Sequence, residues 1–267
     1  MSAKGKRKLY PRDILGILDL KTESVAEIVI RAIFPDPAAG LRDVVNVLAD
    51  FGIRILALNL TSKKREQFLV AFIEYSKSKD SLESIVESLK KNRHILEVKL
   101  KTKRIREKII DEFTVPTFNL GSLPVMILSK EEFGRVLFEI KERYGTGGSA
   151  FLYIVGYRLG ELSGEKYGTK SVSKEFITED VLAFQAFGWG VPEIMEINLL
   201  KPKIRLRFYD LFESFDLNGR SNEPFCHFFR GYLAGLFSKF FGREIAVKEV
   251  KCVAKGDAYC EFIVEGK

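Results

Sequence analysis

Hydrophobic and polar positions in the first hundred residues alternate between the period of a strand and the period of a helix. Residues 25–34 are apolar and β-branched, as in a buried strand, and prolines follow them. The next apolar residues have helical spacing and end before Gly52: they are Leu41, Val44, Val45, Leu48 and Phe51. Strands follow at residues 53–60 and 67–75, then a second helix and a last strand at residues 94–100. The order β-α-β-β-α-β predicts a ferredoxin-like unit whose helices cover one face of a sheet.

The second half of the chain has a different order of elements, which predicts a separate α/β domain with a meander and a final hairpin. Its phenylalanines recur on the helical segments, as in helices that pack against a sheet. The expected elements, in chain order, are a strand at residues 124–128, helices at 130–144, 147–162 and 175–187, strands at 189–200 and 203–212, and a helix at 223–241. The fold class expected for the whole chain is mixed α and β, in two domains.

A run of positive charge separates the two parts, because residues 99–108 contain six basic residues and one acid. The chain also starts with basic residues, at Lys4, Lys6, Arg7 and Lys8. Such charge can contact nucleic-acid phosphates or an acidic partner, but no helix-turn-helix, zinc-finger pair or aromatic stacking motif accompanies it, so a solvated linker is favoured. The expected organisation is a basic segment at residues 1–20, a ferredoxin-fold domain at 21–101, a linker at 102–122 and a C-terminal domain at 123–267.

Composition agrees with a folded protein of two domains. The 267 residues are 46% hydrophobic and 30% charged, with a net charge of +7, and this length exceeds the usual size of a single core. No apolar run approaches the roughly 20 residues that a membrane span requires. No secretory leader is visible, so we expect a cytoplasmic protein. Lysine and glutamate are plentiful while glutamine occurs only at Gln67 and Gln185, a bias typical of thermophilic proteins.

The cysteines are the most specific chemical signal in the chain. All three lie in the last 42 residues, as C-x25-C-x7-C at Cys226, Cys252 and Cys260, and Glu249 precedes the second by three positions. Three thiolates and one carboxylate can complete a tetrahedral zinc site. Cys252 and Cys260 flank a turn signal around Gly256, so a hairpin can bring them together. Buried core cysteines and a disulfide are the alternatives, and we favour zinc because cytoplasmic thiols stay reduced.

Two residues, Glu249 and His227, are candidates for the fourth metal ligand. In a regular strand, Glu249 and Cys252 point to opposite faces, so they can share a site only if a bulge or bend lies between them. His227 is the rival. It follows Cys226 directly on an expected helix, where neighbouring side chains point about 100° apart.

Residues 226–235 and 249–262 resemble the end of a 4-vinyl-reductase-type domain, a small-molecule-binding domain of archaeal and bacterial proteins. They are also similar to the sensor domain of phenol-responsive bacterial activators. In those sensors three cysteines and a glutamate hold zinc in this order and spacing, which implies these roles for the residues Cys226, Glu249, Cys252 and Cys260. Residues 187–190 look like the middle segment of the family, so the resemblance covers residues 120–267. It implies a pocket for an apolar or aromatic ligand, with Trp189, Phe184 and Phe187 as candidate lining residues.

The first half resembles an ACT-type regulatory domain around Gly40 and residues 51–55. This resemblance implies dimerisation, and an amino-acid site near the loop at residues 35–40. The alternative is that Gly40 is simply a turn glycine.

Two classes of function remain. The first is a ligand-responsive regulatory protein that binds an apolar or aromatic molecule, forms a homodimer and acts through a protein partner. The second is a reductase acting on a vinyl or aromatic substrate, and a DNA-associated transcriptional regulator is a further possibility. No G-x-G-x-x-G follows a strand to hold a dinucleotide, and residues 145–149 fit a loop and a helix N-cap. Four protein ligands also make a closed, structural zinc site. We therefore expect a sensor rather than an enzyme.

Overall fold

The computed structural model describes residues 10–12, 14, 16–19, 24–102, 105–166 and 172–266. The chain forms two compact units, Met1–Ile127 and Leu128–Lys267, which are described separately below. The basic start of the chain, at Lys4, Lys6, Arg7 and Lys8, lies outside the described residues, as do Lys103 and Arg104 of the second basic run.

The first unit is built on a four-stranded antiparallel sheet. Its elements are β1 (Ile17–Asp19), β2 (Val25–Ala32), α1 (Pro37–Asp50), β3 (Arg54–Lys63), β4 (Glu66–Glu74), α2 (Leu82–Lys90), β5 (Ile95–Lys101), β6 (Lys108–Ile110), β7 (Thr117–Phe118) and β8 (Leu123–Pro124). The main sheet has the order β3-β4-β2-β5. The predicted β-α-β-β-α-β order is confirmed, and one apolar core joins this sheet to α1 and α2.

Helix α1 begins earlier than its apolar pattern indicates, because Asp36 caps it. The Asp36 carboxylate accepts hydrogen bonds from the backbone N–H groups of Ala38 and Ala39, and Pro37 is the first helical residue. Gly40 therefore lies inside the helix, which corrects its interpretation as a turn glycine. A Cβ at Gly40 would lie 2.1 Å from the ring of Phe34, so glycine allows the helix to pack against that ring.

The segment expected to be a linker, residues 102–122, belongs to the first unit where it is described. Strand β6 pairs with β1, and the fully buried Ile109 packs against Val25 and Phe72 on the sheet. The sequence did not indicate this because a strand of three residues is too short to show a period. The strand expected at residues 124–128 is also absent: β8 covers only Leu123–Pro124 and pairs with β7.

The second unit has a four-stranded antiparallel sheet in the order β11-β12-β10-β9, with helices packed on it. Its elements are α3 (Lys130–Glu165), α4 (Lys174–Ala186), β9 (Val191–Asn198), β10 (Lys203–Tyr209), α5 (His227–Phe241), β11 (Ile245–Lys251) and β12 (Cys260–Gly266). Helix α3 breaks at Gly145, where φ is 54°. This break separates the two helices that the sequence predicts. No helix in the described part of the chain combines the length and apolarity needed to cross a membrane.

Helices α3 and α5 approach each other until their backbones touch. A Cβ at Gly156 or Gly160 would lie 2.0 or 2.1 Å from a carbonyl oxygen of α5, and Gly231 and Gly235 face carbonyl oxygens of α3 in the same way. No larger residue fits at these positions without separating the helices. The glycine contacts therefore hold the start of α5 in place, and the candidate site begins there.

Candidate metal centre

Three separate elements bring the four residues of the cysteine motif together. Cys226 is the residue just before α5, Glu249 lies near the end of β11, Cys252 follows that strand, and Cys260 opens β12. The three cysteines are fully buried and Glu249 nearly so. The expected helix at residues 223–241 is shorter at its start, because Cys226 has ψ of 64° and lies outside the helix. Its side chain is therefore not constrained by the 100° spacing of helical neighbours.

A β-bulge turns Glu249 and Cys252 toward the same site. Strand β11 pairs with β12 through Glu249 opposite Phe262 and Lys251 opposite Glu261, so Val250 is an extra residue in the ladder. This is the irregularity that a shared site requires, since a regular strand would place the two side chains on opposite faces. The connection to β12 contains a 3-10 turn at Val253–Lys255, followed by Gly256 with φ of 99°.

The spacing of the sulfur atoms suits a metal ion. The Cys226 Sγ atom lies 3.8 Å from the Sγ of Cys252 and 3.7 Å from that of Cys260. One ligand atom from each of the four residues lies within 4.8 Å of the others. A tetrahedron with zinc–sulfur distances of about 2.3 Å has a sulfur–sulfur edge of about 3.8 Å. The three cysteines are free thiols, so no disulfide joins them.

Backbone and side-chain donors surround the sulfur atoms. The N–H of Phe225 donates to Cys252 Sγ and that of Val253 to Cys260 Sγ, each at 3.4 Å. The hydroxyl of Ser214 lies 3.2 Å from Cys260 Sγ. Such outer contacts orient thiolate ligands and stabilise their negative charge.

Only one of the two oxygens of the Glu249 carboxylate has a hydrogen-bond partner among the described residues. The Oε2 atom accepts a hydrogen bond of 2.8 Å from the Cys226 backbone N–H, while the Oε1 atom is buried and has no hydrogen-bond partner within the described ranges. A buried carboxylate oxygen without a partner is costly, and a cation is the partner that a neighbouring set of thiols suggests. The donor set and this unpaired oxygen both fit a zinc ion.

The ionisation of the cluster also favours a cation. Burial raises the pKa of the Cys226 thiol and of the Glu249 carboxyl group well above their ordinary values. Hydrogen bonds from the thiols of Cys226 and Cys260 lower the pKa of Cys252. Several acidic groups buried side by side are costly to ionise together. A divalent cation would compensate their negative charges as it replaces their protons.

His227, the rival fourth ligand, does not join the cluster. Its Nδ1 atom lies 3.3 Å from a terminal guanidinium nitrogen of Arg230. Burial lowers the pKa of His227 to about 4, and the Arg230 and Lys141 charges add to this effect. Of the two candidates for the fourth position, the structure brings Glu249 to the three sulfur atoms.

Glu213 is a residue beside the site that the sequence did not reveal. It is fully buried in the 3-10 turn Phe212–Ser214, and its two carboxylate oxygens accept hydrogen bonds of 2.8 and 2.7 Å from the N–H groups of Phe228 and Phe229. Burial raises the pKa of Glu213 to about 8. It caps α5, for which Cys226 supplies no side-chain hydrogen bond. Local sequence contains no signal for a cap that comes from a distant turn.

Two of the three candidate pocket residues lie together in an aromatic cluster. Phe184 is buried, with its ring centroid 5.6 Å from that of Trp189. The Trp189 ring is half-buried and lies 4.8 Å from the Tyr232 ring and 5.3 Å from the Phe212 ring. Phe187, the third candidate, ends α4 and is 46% exposed.

Comparison with known families identifies the C-terminal segment. Residues 209–266 match the family model of the vinyl-4-reductase (V-4-R) domain. This segment contains Cys226, Glu249, Cys252 and Cys260, so the resemblance of the cysteine-containing residues to this domain type is confirmed.

Two uncharacterised proteins of Methanocaldococcus jannaschii are similar to parts of the chain. One is 48% identical over 40 residues, which are 15% of this chain and 23% of that protein. The other is 29% identical over 131 residues, which are 49% of this chain and 64% of that protein. The chain thus spans less than two thirds of the length of either relative.

Three solved structures are similar to parts of the chain. The phenol-responsive sensory domain of the transcription activator PoxR, with phenol, is 20% identical, with a TM-score of 0.48 over 55% of this chain and 79% of that domain. A vinyl-4-reductase family protein from M. jannaschii is 23% identical, with a TM-score of 0.40 over 54% of this chain and 84% of that protein. The ACT domain of a GTP pyrophosphokinase from Chlorobium tepidum is 19% identical, with a TM-score of 0.26 over 32% of this chain and 100% of that domain. The ACT-like character of the first unit stays a prediction.

Proposed function

We propose that this protein is a ligand-responsive regulatory or sensor protein. Its C-terminal unit holds one structural zinc ion at Cys226, Glu249, Cys252 and Cys260 and binds an apolar or aromatic small molecule. The observation that carries the proposal is the buried cluster of three thiols and one carboxylate inside the segment that matches the vinyl-4-reductase domain. The same four residues carry the sequence resemblance to the sensor domain of phenol-responsive activators.

The role assigned to zinc is structural. With four protein ligands the ion has no open position for a water or a substrate, and it supplies a cross-link between elements. That cross-link joins the start of α5 to the hairpin of β11 and β12. Because such a site does not exist in the unfolded chain, the binding energy of the metal contributes to folding.

The ligand site proposed for the apolar molecule is the aromatic cluster around Phe184 and Trp189. It lies among α4, α5 and the start of β9, and Trp189 contacts both Tyr232 and Phe212. An aromatic lining of this kind suits a flat apolar ligand, and the half-buried Trp189 lies on the surface side of the cluster. Phe187, at the end of α4, is assigned to the mouth of this site.

The role that we propose for the first unit is to assemble two copies of the protein into a dimer. We infer an ACT-like homodimer that passes the ligand signal to a protein partner. The supporting observation is β3, an edge strand of the main sheet in which residues 55–62 carry no charge. Thiol ligands of a metal site must stay reduced, so the proposal places the protein in the cytoplasm.

Thermal denaturation in the presence of phenol, a fatty acid or single amino acids tests this function. A ligand that binds only the folded state at a hundredfold excess over its Kd stabilises by about 2.7 kcal/mol. We expect phenol or the fatty acid to stabilise the wild-type protein and Trp189→Ala to remove the effect. Reduction of a vinyl-bearing aromatic compound with a nicotinamide donor would instead support the enzyme. Tight, salt-dependent DNA binding would support a transcriptional regulator.

A further inference from the structure

A second group of polar residues lies around a buried lysine on α3. Lys141 is 8% exposed, although lysine is almost never buried without a partner. Its Nζ atom lies 3.2 Å from Glu223 Oε1, 3.4 Å from Ser221 Oγ and 5.2 Å from the centroid of the Phe225 ring. A buried ammonium group requires a counter-ion, and Glu223 is the carboxylate that supplies it.

Glu223 holds this position only weakly. It lies in the irregular segment between the 3-10 turn and α5, and its side chain is 69% exposed. An ion pair with one well-exposed member contributes about 0 to 1 kcal/mol. Another carboxylate can therefore replace that of Glu223 at the Lys141 ammonium group at little cost.

Two buried N–H donors, on His227 and Arg230, have no acceptor among the described residues. A terminal nitrogen of Arg230 lies 3.3 Å from Nδ1 of His227, and because a guanidinium group can only donate, Nδ1 is the acceptor. The ring proton of His227 is then on Nε2. That atom is buried without a partner among the described residues, as is the Nε atom of Arg230. Buried donors of this kind are rare in folded proteins and indicate a missing acceptor.

These groups belong to one neighbourhood. The Phe225 ring has Lys141 Nζ at 5.2 Å from its centroid and the His227 ring at 6.2 Å. Within the described part of the chain, Glu223 is the carboxylate paired with Lys141, and no carboxylate lies within ion-pair distance of Arg230. The buried Glu213 carboxylate lies within electrostatic range of Arg230, and the Glu223 carboxylate occupies the ammonium group of Lys141. Because the group already held at Lys141 is a carboxylate, a carboxylate is the ligand class that fits this position.

We propose that Lys141, His227 and Arg230 form a binding site for the carboxylate group of a small molecule, at the position that the Glu223 carboxylate covers. The Lys141 ammonium group supplies the charge, and His227 Nε2–H and Arg230 Nε–H donate hydrogen bonds. Glu223 competes with the ligand and keeps Lys141 paired when no ligand is bound. This site depends neither on zinc nor on the apolar ligand proposed above.

Ring-nitrogen NMR spectra of the full chain test the proposal, because the protein has two histidines and His94 serves as an internal reference. The probe is sodium acetate, titrated at constant pH and ionic strength, and its neutral isostere acetamide is the control. We expect acetate to shift the His227 Nε2 resonance saturably and to leave His94 unchanged. Acetamide should shift neither.

Variants separate the site from a general salt effect. Lys141→Met should weaken acetate binding at least tenfold, whereas Lys248→Met, at an exposed lysine on β11, should leave it unchanged. Glu223→Gln removes the competing carboxylate and should strengthen acetate binding about threefold. Because Glu223 is exposed, this variant is informative even if Lys141→Met fails to fold. The proposal is overturned if acetate and acetamide give equal shifts, if His227 does not respond, or if Glu223→Gln binds acetate no more tightly than wild type.

Discussion

Glu249 accepts a hydrogen bond of 2.8 Å from the backbone N–H of Cys226 through one carboxylate oxygen, while its other oxygen is buried and has no hydrogen-bond partner in the described part of the chain. The bond joins β11 to Cys226, the residue just before α5. One carboxylate oxygen of Glu249 and the three cysteine sulfur atoms all lie within 4.8 Å of one another, and the two sulfur–sulfur distances from Cys226, 3.8 and 3.7 Å, match the edge of a zinc tetrahedron. One side chain thus connects the packing of the C-terminal unit with the chemistry proposed for it.

Replacing Glu249 should separate these two roles. Glu249→Gln keeps an oxygen for the Cys226 N–H but loses the negative charge, so we expect zinc affinity to fall 10- to 100-fold while the unit still folds at saturating zinc. Competition with a fluorescent chelator measures the affinity. Glu265→Gln, which changes an exposed carboxylate of β12, is the matched control and should bind zinc like wild type. Equal zinc affinity in both variants would contradict the assignment of Glu249 as a ligand.

Removing the Glu213 side chain should destabilise the C-terminal unit. Glu213→Ala leaves the buried N–H groups of Phe228 and Phe229 without acceptors, so we expect a loss of about 2 to 3 kcal/mol in the free energy of unfolding. Urea denaturation followed by circular dichroism measures it. Glu179→Ala, at an exposed position of α4, should change stability by less than about 0.5 kcal/mol. A Glu213→Ala variant as stable as that control would show that the cap is unimportant.

Two glycine-to-alanine changes should have opposite effects. At Gly235 a Cβ would lie 2.0 Å from the carbonyl oxygen of Tyr157, so Gly235→Ala must push α5 away from α3 and should cost about 3 kcal/mol or more. At Gly147 no atom lies within 4 Å of an added Cβ, and Gly147→Ala should stabilise the helix by up to about 1 kcal/mol. Parallel thermal melts compare the two. Similar melting temperatures would mean that the helices do not approach as closely as described.

The first unit should lose stability as pH rises, because of Glu27. This carboxyl group is fully buried on β2, and burial, with the neighbouring Asp111, raises its pKa from 4.5 to about 8. Between pH 4.5 and 8 the folded protein keeps a proton that the unfolded chain releases, so stability falls across this interval. Glu27→Gln should flatten that slope and be more stable than wild type at pH 8, measured by urea denaturation from pH 5 to 8. Glu87→Gln, at an exposed site of α2, should keep the slope of wild type. A slope unchanged in Glu27→Gln would contradict the assignment.

The regular parts of the fold were predictable because their signals are local. Apolar spacing indicated the β-α-β-β-α-β order of the first unit, and cysteine spacing indicated which residues meet in the second. What the sequence did not disclose depends on partners far along the chain. The bulge at Val250 is defined only by pairing with β12, and the Glu213 cap only by the position of α5. Ile109 was assigned to a linker because the strand that it pairs with lies at Ile17–Asp19, near the other end of the unit.

Native mass spectrometry of the protein, purified without added metal or chelator, tests the central claim most directly. The account predicts one zinc ion per wild-type chain, and a Cys252→Ser variant that carries none and unfolds at lower urea concentration, because the site contributes its binding energy to folding. Elemental analysis of the same samples identifies the metal. A wild-type protein that is fully folded, free of metal and unable to take up added zinc would contradict the account.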